Sequence, residues 1–398
     1  MDLRWLKPLL GRPAPFTTVY LDVTPSAGSS ESDVLDRWRG VRRALERDGA
    51  GIEVLDAIAD LVTRPDGVRG RHGRIVIADA EGVRVDRVLS EAPAESIGVH
   101  GPVPALMPAV RSADEAVAWV LVQVDRRGAD LTWHGEDGSH EHPAQEAVEG
   151  EHDELHKSRE GGLARRGQTR AEDSWHRNAE TVAAALDARV AERSPELVVL
   201  TGDVRAVALV KDAVGQQVRE RLVHVEGGAR GEGANPAMVQ ARAAEEVEAF
   251  RARRRAGVLD AFRTGLGRGD GAVTAIADVV EVLRRGQVAE LVLHEDAAGP
   301  GSRLAEQTLW VGPDPLQIAQ THAELDAIGV GDGARELRAD MALVRAAIGQ
   351  DAGLTVAQDG TVELVDGVGA VLRWHDESTP SEAVPTQSAD QARLRRVL

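Results

Sequence analysis

The sequence predicts an α/β protein of three domains followed by a polar tail. Three observations carry this expectation. Short β-branched runs alternate with segments of helical apolar spacing along the chain. The 398 residues are enough for two or three cores at roughly 100–200 residues each. There is no cysteine, so those cores must be held by packing rather than by disulfides or thiolate metal sites.

The first segment covers residues 1–115. Phe16 to Val23 (FTTVYLDV) alternates and is rich in β-branched residues, so it reads as a strand. Ser30 to Arg47 places Val34, Leu35, Trp38, Val41 and Leu45 at helical spacing, and Gly51 to Val62 reads as a second helix. Gly73 to Ala78 and Gly82 to Leu89 read as strands separated by a hairpin-like turn. Pro102, Pro104 and Pro108 then mark a linker.

In the second segment, residues 116–255, Ala118 to Asp125 and Ala129 to Trp133 read as strands around the turn Arg126-Arg127-Gly128. The following polar stretch, to Asp173, reads as loop. A helix is expected over Ser174 to Arg193, with Ala179, Val182, Ala183 and Leu186 on one face. Glu196 to Thr201 reads as a buried strand, Ala206 to Val214 as a helix and Leu222 to Glu226 as a strand. That order predicts a largely parallel sheet.

The third segment, residues 256–375, begins inside a long helix running from about Pro236 to Leu266. Helices are expected over Ala272 to Arg285, Pro315 to Ile328 and Ala334 to Ile348, with strands at Glu290 to Leu293 and Gly367 to Trp374. Residues 376–398 are polar with two prolines and read as a disordered tail.

Charge narrows the function classes. With 47 Lys and Arg against 65 Asp and Glu, the net charge is -18, and a uniformly acidic surface repels nucleic acid. DNA is therefore not an expected partner, and any RNA contact must be local. No apolar run approaches the roughly 20 residues of a membrane span, so no membrane partner is expected. The start, Met1 to Lys7, has no signal-peptide pattern, and the chain reads as cytoplasmic.

The most informative stretch is His156 to Arg170, HKSREGGLARRGQTR. Its five basic residues, Lys157, Arg159, Arg165, Arg166 and Arg170, stand against the single acid Glu160. Gly161-Gly162 and Gly167-Gln168 allow close backbone approach, and guanidinium groups hold phosphate through bidentate bonds. From composition alone, the alternative is a disordered, solvated loop with chance charges.

The order of elements around this stretch resembles that of the class-one release factors of eukaryotes and archaea, and of Pelota, their stalled-ribosome relative. Two strands precede the basic glycine-rich loop, and a long helix opening Trp175-His176-Arg177-Asn178 follows it. Gly257-Val258-Leu259-Asp260, Ala275 to Leu293 and Gly367 to Trp374 resemble the third domain of the same superfamily. The resemblance covers residues 115–375. It implies a small N-terminal α/β domain, a ribonuclease-H-like middle domain and an α/β/α sandwich at the C-terminal end.

The chain contains no Gly-Gly-Gln triplet: Gly161-Gly162-Leu163 lacks the glutamine and Arg166-Gly167-Gln168 lacks one glycine. It also lacks a counterpart of the stop-codon-reading motifs. The pattern is most similar to the bacterial branch of the superfamily, whose characterised member is a ribosome hibernation factor. That resemblance implies a non-catalytic protein in the A site of the 70S ribosome. The first domain would lie at the decoding centre, the basic loop would face ribosomal RNA near the peptidyl-transferase centre, and elongation factor Tu would be a partner. The ribosome-facing residues would be Lys157, Arg159, Gly161, Gly162, Arg165, Arg166, Gly167, Gln168 and Arg170. The alternative is a peptidyl-tRNA hydrolase or nuclease in which Gln168 positions the water. A plain α/β binding protein is a third reading.

Other constellations are weaker. His134, His140, His142, His152 and His156 lie among acids, but His152-Asp153-Glu154-Leu155-His156 puts its glutamate one place late for a metalloprotease, so no metal or other cofactor is expected. Gly227 to Gly233 lacks the ending of a phosphate-binding loop and reads as a plain loop, as does Gly265 to Gly271. The tryptophans read as core residues, apart from Trp5 and Trp175.

Overall fold

The structure is a computed structural model. It describes residues 3–12, 14–24, 30–64, 72–89, 92–135, 144–150, 164–230, 235–298, 302–358 and 360–380. The chain divides into two compact units. One comprises residues 1–65, 69–115 and 254–398, and the other residues 66–68 and 116–253.

The N-terminal segment holds β1 (Phe16–Asp22), α1 (Ser30–Arg47), α2 (Ile52–Val62), β2 (Gly73–Asp79), β3 (Gly82–Leu89), β4 (Ile97–Gly101) and α3 (Met107–Glu115). The strands form an antiparallel sheet in the order β3-β2-β1-β4. One face of β1 and β2 packs on Trp38, Val41 and Leu45 of α1 and on Leu55, Ile58 and Val62 of α2. The expected linker around Pro102 to Pro108 is in fact flanked by β4 and continues into α3. Pro108 is tolerated because it is the second residue of its helix, where a backbone N–H has no helical acceptor.

The middle segment contains β5 (Trp119–Val124), β6 (Gly128–His134), β7 (Gln145–Glu149), α4 (Ala164–Arg193), β8 (Leu197–Gly202), α5 (Val204–Ala213), α6 (Gln216–Arg221), β9 (Leu222–His224) and α7 (Pro236–Arg268). The sheet order is β7-β6-β5-β8-β9. The pairings β5–β8 and β8–β9 are parallel, whereas β6 runs against both of its neighbours, β5 and β7, so the sheet is mixed rather than largely parallel. β7 was not legible in the polar stretch because it is an edge strand whose residues are exposed or half-buried throughout. The loop also ends earlier than expected. α4 begins at Ala164, in a run of Ala, Arg and Gln that favours helix despite Gly167. Val120, Val122, Leu131 and Val198 meet Ala179, Val182, Leu186 and Val190 of α4 on one face. Leu121, Leu197 and Val199 meet Val239, Ala243 and Val247 of α7 on the other.

The C-terminal segment adds β10 (Ala272–Thr274), α8 (Ile276–Arg284), β11 (Val288–His294), α9 (Arg303–Glu306), β12 (Thr308–Val311), β13 (Ile318–Ala319), α10 (His322–Ala327), β14 (Arg335–Arg338), α11 (Ala339–Gly349), β15 (Gly353–Ala357) and β16 (Val368–Leu372). A mixed sheet runs β10-β16-β11-β15, and a small antiparallel one runs β13-β12-β14. Three expected helices are shorter than their apolar spacing suggested. Ala272–Thr274 is strand, because Ala275 adopts φ 72° and interrupts the helix. Pro315 to Ile328 gives β13 and then α10, and Ala334 to Ile348 gives β14 before α11. β10 and β13 are short, fully buried strands that share an apolar composition with buried helix turns, whereas β14 is the polar run Arg-Glu-Leu-Arg with only Leu337 buried, so periodicity could not separate any of them from helix.

The N- and C-terminal segments fold into one unit and share a core. Tyr20, Ile75 and Ile77 belong to the same buried cluster as Leu283, Leu291, Leu343 and Ile348. Tyr20 is fully buried, yet its hydroxyl donates to Ala105 O (2.7 Å) and accepts from Ala109 N–H (3.1 Å). Trp175 is buried at 4% exposure and Trp374 is 46% exposed, the reverse of the sequence expectation for both. Of the polar tail, Asp376 to Thr379 form a turn whose Ser378 and Thr379 hydroxyls bond Arg285 and Gln287, and residues 381–398 lie outside the described residues.

Candidate functional site

The informative site of the middle segment lies where β5 and β7 end. The β5–β6 turn is closed by Asp125, whose Oδ1 accepts the N–H groups of Arg127 (2.7 Å) and Gly128 (2.9 Å). Gly150, just after β7, donates its N–H to Arg127 O at 2.7 Å. From α4, the buried Asn178 donates Nδ2–H to Arg126 O at 2.9 Å. A Cβ on Gly150 would overlap the Asn178 carboxamide, so this close approach requires glycine.

One turn earlier on α4, Trp175 receives the Arg126 guanidinium 4.5 Å from its ring centroid, with Arg205 at 5.9 Å. Arg126 also lies 3.4 Å from Asp203 Oδ2, while Asp203 Oδ1 caps α5 through the N–H groups of Arg205 and Ala206. The guanidinium thus sits between a π face and a carboxylate, and such a stack is worth about 0.5–2 kcal/mol. The sequence carried a signal for the burial of Trp175 that was missed: it heads the series Ala179, Val182, Leu186 and Val190 at helical spacing.

Beside this cluster, Arg230 reaches three carboxylates: Asp125 (3.3 Å), Asp130 (3.0 Å) and Glu149. Its side chain is 12% exposed. Burial works against the charge, but Glu149, Asp130 and Asp125 outweigh it and hold the guanidinium above its ordinary range. The strand-following loop is stitched down further by Gly228 N–H to Thr201 Oγ1 (3.1 Å) and Gln123 Nε2–H to Ala229 O (3.3 Å). Gly227 to Arg230 therefore forms a strap across the sheet end, its cation turned inward. Residues 231–234 lie outside the described residues.

The residues expected to face a ribosome fall in two places. Lys157, Arg159, Gly161 and Gly162 lie outside the described residues. Arg165, Arg166, Gly167, Gln168 and Arg170 occupy the leading turns of α4, a helix and not the loop that the sequence suggested. His140, His142, His152 and His156 also lie outside the described residues. His134 stacks on Trp119 (centroids 4.0 Å apart, planes at 7°), and burial lowers its pKa to about 4. Among the described residues, no group of three His, Asp or Glu side chains could hold a metal ion, and no helix is long and apolar enough to cross a membrane.

Residues 118–268 match the family model described as bacterial archaeo-eukaryotic release factor family 2. An uncharacterized protein of Mycobacterium tuberculosis, matched in two strains, is 28% identical over 376 residues, which is 94% of this chain and 96% of that one. Among solved structures, the archaeal translation termination factor aRF1 is similar at 16% identity and TM-score 0.24, over 93% of this chain and 96% of that one. Ribosome-bound archaeal Pelota is similar at 11% identity and TM-score 0.38, over 94% and 93%. Saccharomyces cerevisiae Dom34, a translation termination-like factor, is similar at 10% identity and TM-score 0.37, over 76% and 80%.

Proposed function

We propose, for a chain that is a bacterial release-factor-like protein over residues 118–268, a non-catalytic role as a ribosome-binding translation factor in the cytoplasm. It occupies the A site of idle 70S ribosomes under stress, with the basic segment 157–170 against ribosomal RNA and elongation factor Tu as a delivery partner. One observation carries this reading: the matched span contains five basic residues within 156–170 of a protein of net charge -18. The absence of any Gly-Gly-Gln triplet favours occupancy over peptide release.

The test is sedimentation of the purified protein with vacant 70S ribosomes through sucrose, at low and moderate salt, with and without elongation factor Tu. Comigration that weakens with salt is expected, and so is its loss in the folded double variant Arg165→Glu, Arg166→Glu. Unchanged sedimentation of that variant would overturn the assignment of the basic segment.

A further inference from the structure

β4 ends the N-terminal sheet, whose order is β3-β2-β1-β4. Its pairing with β1 runs from Phe16↔Gly101 to Tyr20↔Ile97, and among the described residues no strand pairs with its other side. A strand bonded on one side directs every second N–H and C=O outward, which is a template for a further strand. All five residues of β4 are half-buried, and it has no lysine, proline or bulge to blunt that edge.

The two faces of this edge differ. Ile97 and Val99 line a cavity of about 700 Å³ together with Leu106, Met107, Met341 and Val356. A volume of that size falls in the range of ligand sites, roughly 300–1,000 Å³. The Cβ direction of Gly98 is the opposite one. A Cβ there would lie 2.7 Å from Val41 Cγ1 and 2.8 Å from Leu45 Cγ, so glycine lets α1 come down against the strand. A groove between α1 and residues 93–98 results, with Gly40 and Ala44 on its helical wall.

Gly40 also borders a depression lined by Arg43, Glu46 and Arg47. Most acids along these two hollows are engaged. Asp36 holds Arg39 at 2.7 Å, Glu46 holds Arg42 at 2.9 Å, and Asp22 lies 3.8 Å from Arg37. Among the described residues Arg43 and Arg47 have no ion-pair partner, and neither has Glu95, so the α1 side is left with two cations against one acid. A strand added to β4 would lie about 4.8 Å beyond it, with side chains alternating between the cavity and the groove. In this mode main-chain bonds supply affinity, and pockets for alternate side chains select the sequence.

We propose that the edge of β4 is a strand-addition site for an extended segment of a partner protein, with apolar residues at the alternate positions that enter the cavity and carboxylates at those that face Arg43 and Arg47. The site lies wholly within the unit formed by residues 1–65, 69–115 and 254–398. It uses none of the basic residues of 156–170, so it goes beyond the ribosomal reading and does not depend on it.

The probe is a capped, fluorescein-labelled peptide, Val-Glu-Val-Glu-Val-Glu-Val, titrated with the full-length protein by fluorescence anisotropy. Saturable binding is expected, about tenfold or more tighter than for the permuted peptide Val-Val-Val-Val-Glu-Glu-Glu. Two N-methylated versions are compared, one methylated at the valines and one at the glutamates. One should lose binding and the other keep it, because an added strand uses the N–H groups of a single edge. The double variant Arg43→Glu, Arg47→Glu changes two exposed side chains; it should weaken the peptide about tenfold and favour a Val-Lys alternation instead. Hydrogen exchange at residues 97–101 should slow when the peptide is bound. No binding at about 1 mM peptide overturns the proposal. So does equal binding of the permuted peptide, the same response to both N-methylated versions, or indifference to the double variant. Self-association of the protein alone that protects residues 97–101 would identify a second copy as the occupant and overturn the partner segment.

Discussion

Gly150 and Asn178 pack so closely that a methyl group on the glycine would occupy the space of the Asn178 carboxamide. Asn178 is 2% exposed and spends its amide on Arg126 O, so it has nowhere better to go. Gly150→Ala should therefore destabilise the protein by about 2 kcal/mol, by breaking a buried hydrogen bond. Gly202→Ala should cost more, since Gly202 has φ 138° and a Cβ there would overlap Val124 O. Urea denaturation of both variants checks the values and the ranking.

Arg230 is the shared cation of Asp125, Asp130 and Glu149. Arg230→Met keeps the length of the stem and leaves three carboxylates facing one another. Destabilisation of about 2–4 kcal/mol is expected, because an ion-pair network loses the cation that its three carboxylates share. Salt should recover part of the loss by screening the repulsion, the opposite of its effect on an ordinary surface ion pair. Hydrogen exchange at residues 226–230 should rise in the variant, since the strap loses its main tether.

His134 is flat against Trp119, and among the described residues its Nε2 has no hydrogen-bond partner. Burial holds its pKa near 4, below the 6.5 of a free imidazole. The unfolded chain therefore takes up a proton between pH 6.5 and 4 that the folded protein refuses. The stabilising contribution is complete above pH 6.5 and is lost as pH falls toward 4. His134→Phe should keep the stack and flatten the fall in melting temperature across that window. A second loss should follow at lower pH. Burial of Asp79 favours its neutral form, but hydrogen bonds from Arg84 and Arg12 outweigh that and bring its pKa to about 2. Its contribution is present above the usual carboxylate value of 3.8 and fades as pH falls through 2. Calorimetry of His134→Phe and Asp79→Asn separates the two windows.

Gln168→Ala should sediment with 70S ribosomes as the unaltered protein does, and neither should release labelled peptide from stalled ribosomes. Release that depends on Gln168 would establish the hydrolase reading.

Local pattern decided much of the fold. The helix α1 and the strand β3 have the bounds that their spacing predicts, because a two-sided amphipathic element repeats at its own period. The pattern failed where burial was uniform or absent. Nearly every residue of α11 is buried, so its stripe cannot mark where β14 ends and the helix starts. Edge strand β7 has no buried side at all. For the candidate site, the residue types of the basic segment were legible, but the helical state of residues 164–170 was not, because Gly161, Gly162 and Gly167 read as loop and outweighed the helix preference of the neighbouring Ala, Arg and Gln.

The sequence by itself determined the charge balance, the absence of cysteine, the basic segment, the missing Gly-Gly-Gln triplet and the succession of α/β segments, all of which are properties of composition and near neighbours. Only the tertiary structure decided that Arg230 closes on Asp125, Asp130 and Glu149, that Arg126 meets Trp175, and that the first and third segments share one core. Those pairings join residues some 50 to 300 positions apart. They depend on which faces remain to be covered once each element has formed, and no local period records that.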